Sequence, residues 1–247
     1  MDIPATMSSR RGRRLAGSEN ALTKDRIVQA ALALLDERGL ASFSVRDVAK
    51  ALDAYPAAVY WHVRNRNQLL AEIVAHVLRD LAPDVPVRHW QRWLREMFGR
   101  YRATVRRHPN VAPLIGAQLV SNASLDFDLI ERLLQVLLSA GFTGAHLVEA
   151  FDVVIAAQVG FVTLEFAPVP EDGEMWAEGM QASVRSVDRA RHPLLAANLD
   201  RMANRSFMLR WQSGTEIAMD RSYRAYVETV IAGLEAMASR LTKAKPA

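Results

Sequence analysis

The turn before Pro56 constrains the fold of this chain more than any other stretch. The proline ring fixes φ near the helical value and lacks an N–H that would be unpaired in a first helical turn, so Pro56 suits the first position of a helix. Tyr55, which precedes it, is pushed out of the helical region. Residues 53–55 are therefore predicted to form a tight turn, and a new short helix begins at Pro56.

Two further helices are predicted immediately before this turn. Thr23 is a suitable N-cap and Gly39 a left-handed stop for the first helix. Ser44 and Asp47 resemble a capping box at the start of the second, which runs to about Leu52. A longer helix that supports two short helices joined by a tight turn is the helix-turn-helix pattern. The apolar face of the first helix consists of Ile27, Ala30, Ala31, Leu34 and Leu35.

Helical geometry divides the third helix into two faces. At roughly 100° per residue, Pro56, Val59 and Val63 lie together and pack on the first helix. Because Val59 and Val63 already supply the packing face, the rings beside them are predicted to contact DNA rather than to join the core. The small side chains allow close approach to base edges, and Arg64 and Arg66 are placed for phosphates. The outward side chains are Ala57, Ala58, Tyr60, Trp61 and His62.

The distribution of charge supports contact between this part of the chain and a polyanion. The net charge is only +4, but residues 1–70 contain eleven Lys and Arg against seven Asp and Glu, whereas the remaining residues contain twenty of each. An excess confined to the front quarter is typical of a nucleic-acid-binding segment. Residues 1–22 are predicted to be a disordered basic arm, which either lies along DNA or is a solvated tail.

The rest of the chain is predicted to be helical throughout, with no competing strand pattern. The fourth helix follows Asn65 and ends near Leu81, and Pro83 and Pro86 mark a domain boundary. We therefore expect a DNA-binding domain with its connecting helix over residues 23–82 and a second domain over residues 86–241. The helices predicted in the second domain are 90–108, 112–120, 124–140, 145–167, 175–185, 192–203, 206–212 and 215–241.

The second domain combines large apolar side chains with a few polar groups, as small-molecule pockets do. Each of these side chains taken alone is more often part of an ordinary core. Gln158 is the strongest candidate, because a buried amide needs partners that a ligand can supply; the alternative is an amide paired across a helix interface. The candidate ligand-binding residues are Tyr101, Gln118, Phe127, Phe151, Gln158, Phe161, Glu165 and Trp176.

Two long helices of this domain, 145–167 and 215–241, are apolar over much of their surface. A monomer would leave that surface exposed to water, so the two helices are predicted to form a homodimer interface.

Several classes of function are excluded. The chain has no cysteine, so disulfides, thiolate zinc sites and cysteine nucleophiles are absent, as suits a reducing cytoplasm. The six histidines lack metal-ligand spacing, and no phosphate-binding glycine loop or Gly-x-Ser-x-Gly motif is found, so neither an enzyme nor a bound metal or cofactor is expected. The most apolar run, Val153 to Leu164, is too short to span a membrane and contains Gln158. No secretory signal is recognised, and a cytoplasmic location is expected.

Residues 23–70 resemble the DNA-binding domain of the tetracycline-repressor family of transcriptional regulators, and residues 86–167 resemble its ligand and dimer domain. The resemblance implies an all-α protein with an N-terminal three-helix helix-turn-helix DNA-binding domain followed by a helical effector-binding and dimerisation domain. It rests on Ala30-Ala31, Leu34-Leu35, Gly39, Ser44-Val45-Arg46, Val48-Ala49, and Val59-Tyr60-Trp61-His62-Val63 followed by Asn65.

The resemblance also implies a function: a homodimeric repressor that binds a palindromic operator in double-stranded DNA and leaves it when a small-molecule effector binds. By the same resemblance, Thr23 and Tyr60 contact phosphates, Arg46 contacts a base edge, and His62 and Arg66 also reach DNA. Since Pro56, Ala57 and Ala58 stand where the family's tetracycline repressor has larger polar side chains, a different operator is expected. The candidate DNA-binding residues are Thr23, Arg46, Pro56, Ala57, Ala58, Tyr60, Trp61, His62, Arg64 and Arg66.

Two other functions are compatible with the residues. The first is a ligand-binding protein or enzyme whose basic N-terminus is incidental. The second is an architectural or activating DNA-binding protein that has no effector.

Overall fold

The computed structural model describes residues 21–115, 126–170 and 172–243. All regular structure in these ranges is helical, so the predicted all-α fold class is confirmed. Short 3-10 turns at Val87–His89 and Pro109–Val111 flank the fifth helix, and residues 112–115 are also helical. The helices are α1 Lys24–Arg38, α2 Val45–Ala51, α3 Pro56–Tyr60, α4 Arg66–Val77, α5 Trp90–Arg107, α6 Phe127–Ser139, α7 Ala145–Glu165, α8 Gly173–Arg185, α9 Pro193–Met202 and α10 Asp220–Lys243.

Local capping sets the ends of the first helices. The Thr23 hydroxyl accepts the Arg26 N–H at 3.3 Å, and Gly39 ends α1 at a φ of 72°. The Ser44 hydroxyl accepts the Asp47 N–H at 3.2 Å. The Asp47 carboxylate accepts from the Ser44 hydroxyl, where a standard capping box would use the backbone N–H. Both predicted helix starts are therefore confirmed.

The N-terminal helices share one apolar core. Helix α1 packs on α2 and α4, and α2 packs on α3. Val59 of α3 and Val63 in the turn after it are buried, as the helical geometry predicts, and they attach α3 to the other helices. The most deeply buried members of this core are Ile27, Leu35, Val48, Val59 and Leu69.

Polar contacts join α1 to the end of α5. The Asn110 side-chain amide donates to the backbone carbonyls of Leu35 at 2.9 Å and Asp36 at 3.2 Å. His108 Nδ1 lies 2.7 Å from a carboxylate oxygen of Asp36. These bonds satisfy the last carbonyls of α1 and fix its orientation relative to the C-terminal helices.

Helix α5 is the centre of the C-terminal part and packs on α6, α7 and α10. The Tyr223 hydroxyl of α10 donates to the Phe98 carbonyl at 2.6 Å. The Tyr226 hydroxyl donates to the Ala157 carbonyl of α7 at 2.9 Å. Helix α10 is therefore tied to both α5 and α7. The buried face of α5 consists of Trp93, Leu94, Met97, Phe98 and Tyr101.

A buried ion pair joins α5, α7 and the start of α10. Glu165 is fully buried, and its two carboxylate oxygens accept from Arg102 Nε and Nη2 at 2.7 and 2.6 Å. The Met219 N–H donates to the same carboxylate at 2.8 Å, and Arg102 Nη1 contacts Asp220 at 2.7 Å. Burial lowers the pKa of the Arg102 guanidinium, but its bonds to the two carboxylates outweigh that effect and raise it. A side chain at position 214 would come within 2.6 Å of Glu165, so only Gly214 fits beside it.

Helix α7 is the one described helix that is long and apolar enough to cross a membrane, judged by length and composition alone. Its most apolar 18-residue window has a mean hydropathy of 1.8, and 33% of that window is buried. The buried part packs on α5, α6 and α10. The helix therefore belongs to the helical core on one side and leaves an apolar face on the other.

Three predicted boundaries are wrong. The third helix ends at Tyr60, α4 ends at Val77, and α10 begins at Asp220 rather than at residue 215. The third helix ends early because the chain must become extended at Asn65, whose side chain caps α4 by accepting the Gln68 N–H at 2.8 Å. His62 and Val63 consequently lie in a turn after the helix.

Residues 206–212 do not form the predicted helix. Asn204 has a φ of 54°, and its side-chain oxygen accepts the N–H groups of Trp211 and Gln212 at 2.8 and 3.1 Å. An asparagine side chain that bonds to the backbone in this way competes with helix formation.

Candidate nucleic-acid interface and effector-binding domain

The surface of α3 and the turn after it presents three aromatic rings to solvent. Tyr55, Tyr60 and Trp61 are 85%, 47% and 89% exposed, whereas Val59 and Val63 are almost completely buried. Trp61 therefore does not pack between the described helices. Rings held outward by a buried valine pair are available for DNA, and they take no part in the core. We call the exposed side chains of residues 55–62 the α3 surface.

The small and polar members of the α3 surface lie beside these rings. Ala57 and His62 are exposed, while Pro56 and Ala58 are partly buried against the domain. Asp53 forms the tight turn before them with a φ of 50°. Aspartate tolerates this left-handed conformation better than most residues, which explains how it stands at a turn position that favours glycine.

Two arginines of the N-terminal helices, Arg46 on α2 and Arg64 after α3, have exposed side chains. Neither makes an ion pair with any described residue. Arg46 therefore pairs with neither Asp47 nor Asp53, and the Asp47 carboxylate bonds to Ser44 instead. Both guanidinium groups are therefore available for an external anion.

Arg66 has an internal role that its position in the sequence does not indicate. Its guanidinium donates to the carbonyls of Leu40 at 3.2 Å and Phe43 at 3.4 Å, and it lies 5.6 Å from the centre of the Phe43 ring. These contacts hold the loop between α1 and α2. A phosphate contact by Arg66 would use the guanidinium N–H groups that these two bonds leave free. Thr23, by contrast, uses only an acceptor position of its hydroxyl as a cap, so the hydroxyl proton can still be donated.

The interior of the C-terminal part contains polar atoms that lack partners. Tyr101 is buried and its hydroxyl makes no hydrogen bond in the described part of the chain. Burial also raises the pKa of this hydroxyl, which keeps it protonated. Gln158 is buried too, and its side-chain oxygen has no partner among the described residues. Pairing of that oxygen across a helix interface, the alternative role, is not seen there.

Trp93 also carries a buried polar atom of this kind, although the sequence analysis did not single it out. Its indole N–H is buried without a partner among the described residues. Trp93 and Tyr101 are eight residues apart on α5 and lie on the same buried face. A buried tryptophan normally needs a partner for its N–H, and that requirement could have identified Trp93 as a candidate ligand-binding residue.

The structure does not bring the other ligand candidates together in one site. Glu165 is committed to Arg102, and Phe161 packs with Phe207, Tyr223 and Tyr226 at ring-centre distances of 4.9 to 5.2 Å. Phe127 is largely exposed, Phe151 and Trp176 are partly buried, and Gln118 lies outside the described residues.

A cavity of about 480 Å³ lies where α1 and α4 meet α5. We call it the junction cavity. None of the predicted ligand residues lines it. His76 contributes a buried Nδ1 with no partner among the described residues, and Arg79, Arg100 and Arg107 are basic lining residues. Because its lining side chains come from three helices distant in sequence, spacing alone does not reveal it.

An exposed aromatic helix-turn-helix surface attached to a helical domain defines a class of DNA-binding regulators. Two family descriptions match the chain: "Bacterial regulatory proteins, tetR family" over residues 27–73 and "Tetracyclin repressor-like, C-terminal domain" over residues 82–238. The second match alone covers more than half of the chain. The chain therefore belongs to the tetracycline-repressor family, and it is a transcriptional regulator rather than an enzyme.

Individual relatives agree with this assignment. The tetracycline repressor protein class E of Escherichia coli is 32% identical over 126 residues, which are 49% of this chain and 58% of that repressor. A structure of BioQ with its double-stranded DNA operator has a TM-score of 0.54 and 27% identity, covering 66% of this chain and 97% of that one. ActR of Streptomyces coelicolor in complex with (S)-DNPA shares the fold, with a TM-score of 0.64 and 24% identity over 88% of this chain and 99% of its own.

Proposed function

We propose that this protein is a cytoplasmic homodimeric repressor that binds a palindromic operator through the α3 surface and leaves it when a small-molecule effector binds. The observation that carries the proposal is the exposure of Tyr60 and Trp61 on an element anchored by buried valines. Arg46 on α2 and Arg64 directly after α3 make no ion pair with any described residue, and they supply positive charge for phosphates or bases. The operator-bound BioQ structure supports the DNA-binding part of the proposal.

Exposed faces on α7 and α10 support the dimer. On α7, Val148, Val153 and Leu164 are exposed apolar side chains, and Ala156 and Gly160 lie on the same open side of the helix. Several exposed positions of the neighbouring α10 are small, which allows close helix packing; they are Ala225, Thr229, Ala232, Gly233 and Ala236. Two copies of this helix pair would bury both faces in a four-helix interface and present two α3 surfaces to successive major grooves, ~34–36 Å apart.

The unpaired polar atoms of Trp93, Tyr101 and Gln158 support an effector site between α5 and α7. An indole N–H, a protonated hydroxyl and an amide oxygen in a mainly apolar interior fit a largely apolar ligand that carries both acceptor and donor groups. The effector would change operator affinity because it binds one arrangement of the two α3 helices of the dimer more tightly than another. Such a coupling between two sites is typically about 1–3 kcal/mol. We propose that α4 and the junction cavity transmit that change, because they contact both parts of the chain.

Selection of bound duplexes from random DNA tests the proposed function, followed by a screen for compounds that release the selected duplex. The proposal predicts an enriched palindrome and at least one releasing compound. If no sequence is enriched, the result would contradict the proposal that the protein binds a specific operator. An enriched sequence that no compound releases would favour a DNA-binding protein without an effector.

Replacement of Gln158 with leucine should weaken the response to the releasing compound while operator binding persists. Leucine fills nearly the same volume and removes an oxygen that has no partner among the described residues, so the fold should be retained. The measurement is the compound concentration that releases half of the operator, which we expect to rise by about 10-fold or more, as the loss of roughly 1.4 kcal/mol implies. Gln135→Leu, at an exposed position on α6, is the control. Equal responses in the two variants would contradict a role for Gln158.

A further inference from the structure

A second cavity lies on the outside of the C-terminal part, in the groove between α5 and α10. It is a cleft of about 450 Å³, which we call the α5–α10 cleft. Its α10 wall carries Arg224 and Glu228. Tyr226, which contacts α7, lies on the opposite flank of α10 by helical geometry. The cleft therefore lies on a different side of α10 from Tyr226, and none of the three side chains of the proposed effector site lines it.

The rim of the cleft holds four arginines that differ in how they are paired. Arg95 makes two 2.7 Å bonds to the carboxylate of Glu228. Arg102 is committed to its buried carboxylate partners. Arg106, however, comes no closer than 3.7 Å to Asp220, its only acidic neighbour in the described chain. Arg224 makes no ion pair with any described residue.

Arg106 and Arg224 stand on opposite walls, one on α5 and one on α10. Both side chains are at least partly exposed, and their guanidinium donors are available. A guanidinium fork matches a carboxylate or phosphate by paired N–H···O bonds. An anion at the rim would therefore find donors on both sides of the cleft.

The floor between these arginines is apolar and open. It consists of Gly99, Ala103, Tyr223 and Val227. No heavy atom lies within 4 Å of the position that a Cβ at residue 99 would occupy, so the missing side chain leaves free space above the helix. The Tyr223 ring continues this surface, with the Arg102 guanidinium 4.6 Å from its centre. A flat apolar body fits this floor.

We propose that the α5–α10 cleft binds a small amphipathic anion, in which an aromatic ring lies on the Gly99–Val227 floor and a carboxylate or phosphate bonds to Arg106 and Arg224. Its volume falls within the roughly 300–1,000 Å³ range of small-molecule sites. The floor supplies apolar contact and the rim supplies charge. This site is additional to the effector site between α5 and α7, and it does not depend on DNA binding.

Calorimetric titration of the full-length protein with benzoate and with phenyl phosphate tests the site, and the two probes distinguish the anionic groups. We expect saturable binding of at least one probe and binding at least 10-fold weaker for benzyl alcohol, which has the ring without the charge. Gly99→Leu should weaken binding of the anion at least 10-fold, because the new side chain fills the space above the floor. Arg106→Gln and Arg224→Gln should each weaken binding as well, because they remove guanidinium donors. Gly179→Leu, at another open helical position, should have no effect.

Circular dichroism and thermal melting check that each variant is folded. If Gly99→Leu does not fold, the two arginine variants test the site instead, since their side chains are not part of the core. Absence of saturable binding by both anions would overturn the proposal. So would binding that survives in folded Gly99→Leu or in both arginine variants, or binding of benzyl alcohol as tight as that of the anions.

Discussion

Replacement of Glu165 with alanine is expected to lower the free energy of unfolding by about 3–5 kcal/mol, because the buried Arg102 loses two of its bonds and keeps only Asp220 as a carboxylate partner. The Arg102 side chain is only 12% exposed, so water cannot replace the lost carboxylate. The Met219 N–H loses its acceptor as well. Urea denaturation followed by circular dichroism measures the change, with all variants at one protein concentration because the proposed dimer makes stability concentration-dependent.

Glu228→Ala is the matched control for this prediction. Glu228 accepts two 2.7 Å bonds from Arg95, so the bond geometry is nearly the same as at Glu165, but both side chains of that pair are about half exposed. An exposed pair contributes about 0–1 kcal/mol. Equal losses of stability in the two variants would contradict the structural role assigned to the buried pair.

Replacement of Ala57 with glutamate is expected to weaken operator binding by about 100-fold or more. The exposed Ala57 lies in the first turn of α3, where a carboxylate would face the phosphates and base edges of a bound duplex. Placing like charges together across an interface costs several kcal/mol. A glutamate in a first helical turn is otherwise favourable, so the fold should be kept.

Fluorescence anisotropy with the selected duplex measures this loss. Ala182→Glu, at an exposed position on α8, changes the net charge by the same amount far along the chain and is the control. If both variants lose affinity equally, net charge rather than the α3 surface governs binding. If neither does, the α3 surface does not face DNA.

The N-terminal helices were predictable because local signals determine them. Thr23, Gly39, Ser44 and Asn65 each cap or stop a helix within a few residues of themselves, and such contacts can be read from spacing. The alternation of Val59 with exposed rings on α3 was predictable for the same reason. The short length of α3 was not, since it depends on the cap of the next helix.

Contacts between distant residues explain the remaining errors. Glu165 resembles a polar residue in a pocket when only its neighbours in sequence are considered, but its partner, Arg102, is 63 residues away. Arg66 has a structural role that its neighbours in sequence do not indicate, because it donates to the carbonyl of Leu40, 26 residues earlier. The roles of such side chains are set by packing, and packing is not visible in local patterns.

A salt titration of operator affinity tests most directly whether the α3 surface binds DNA. We predict that the logarithm of the binding constant falls linearly with the logarithm of salt concentration, as counterion release requires. Tyr60→Ala should weaken binding across that range, while Tyr226→Phe, a change outside the α3 surface, should not. Operator binding that is insensitive both to salt and to Tyr60→Ala would contradict the claim.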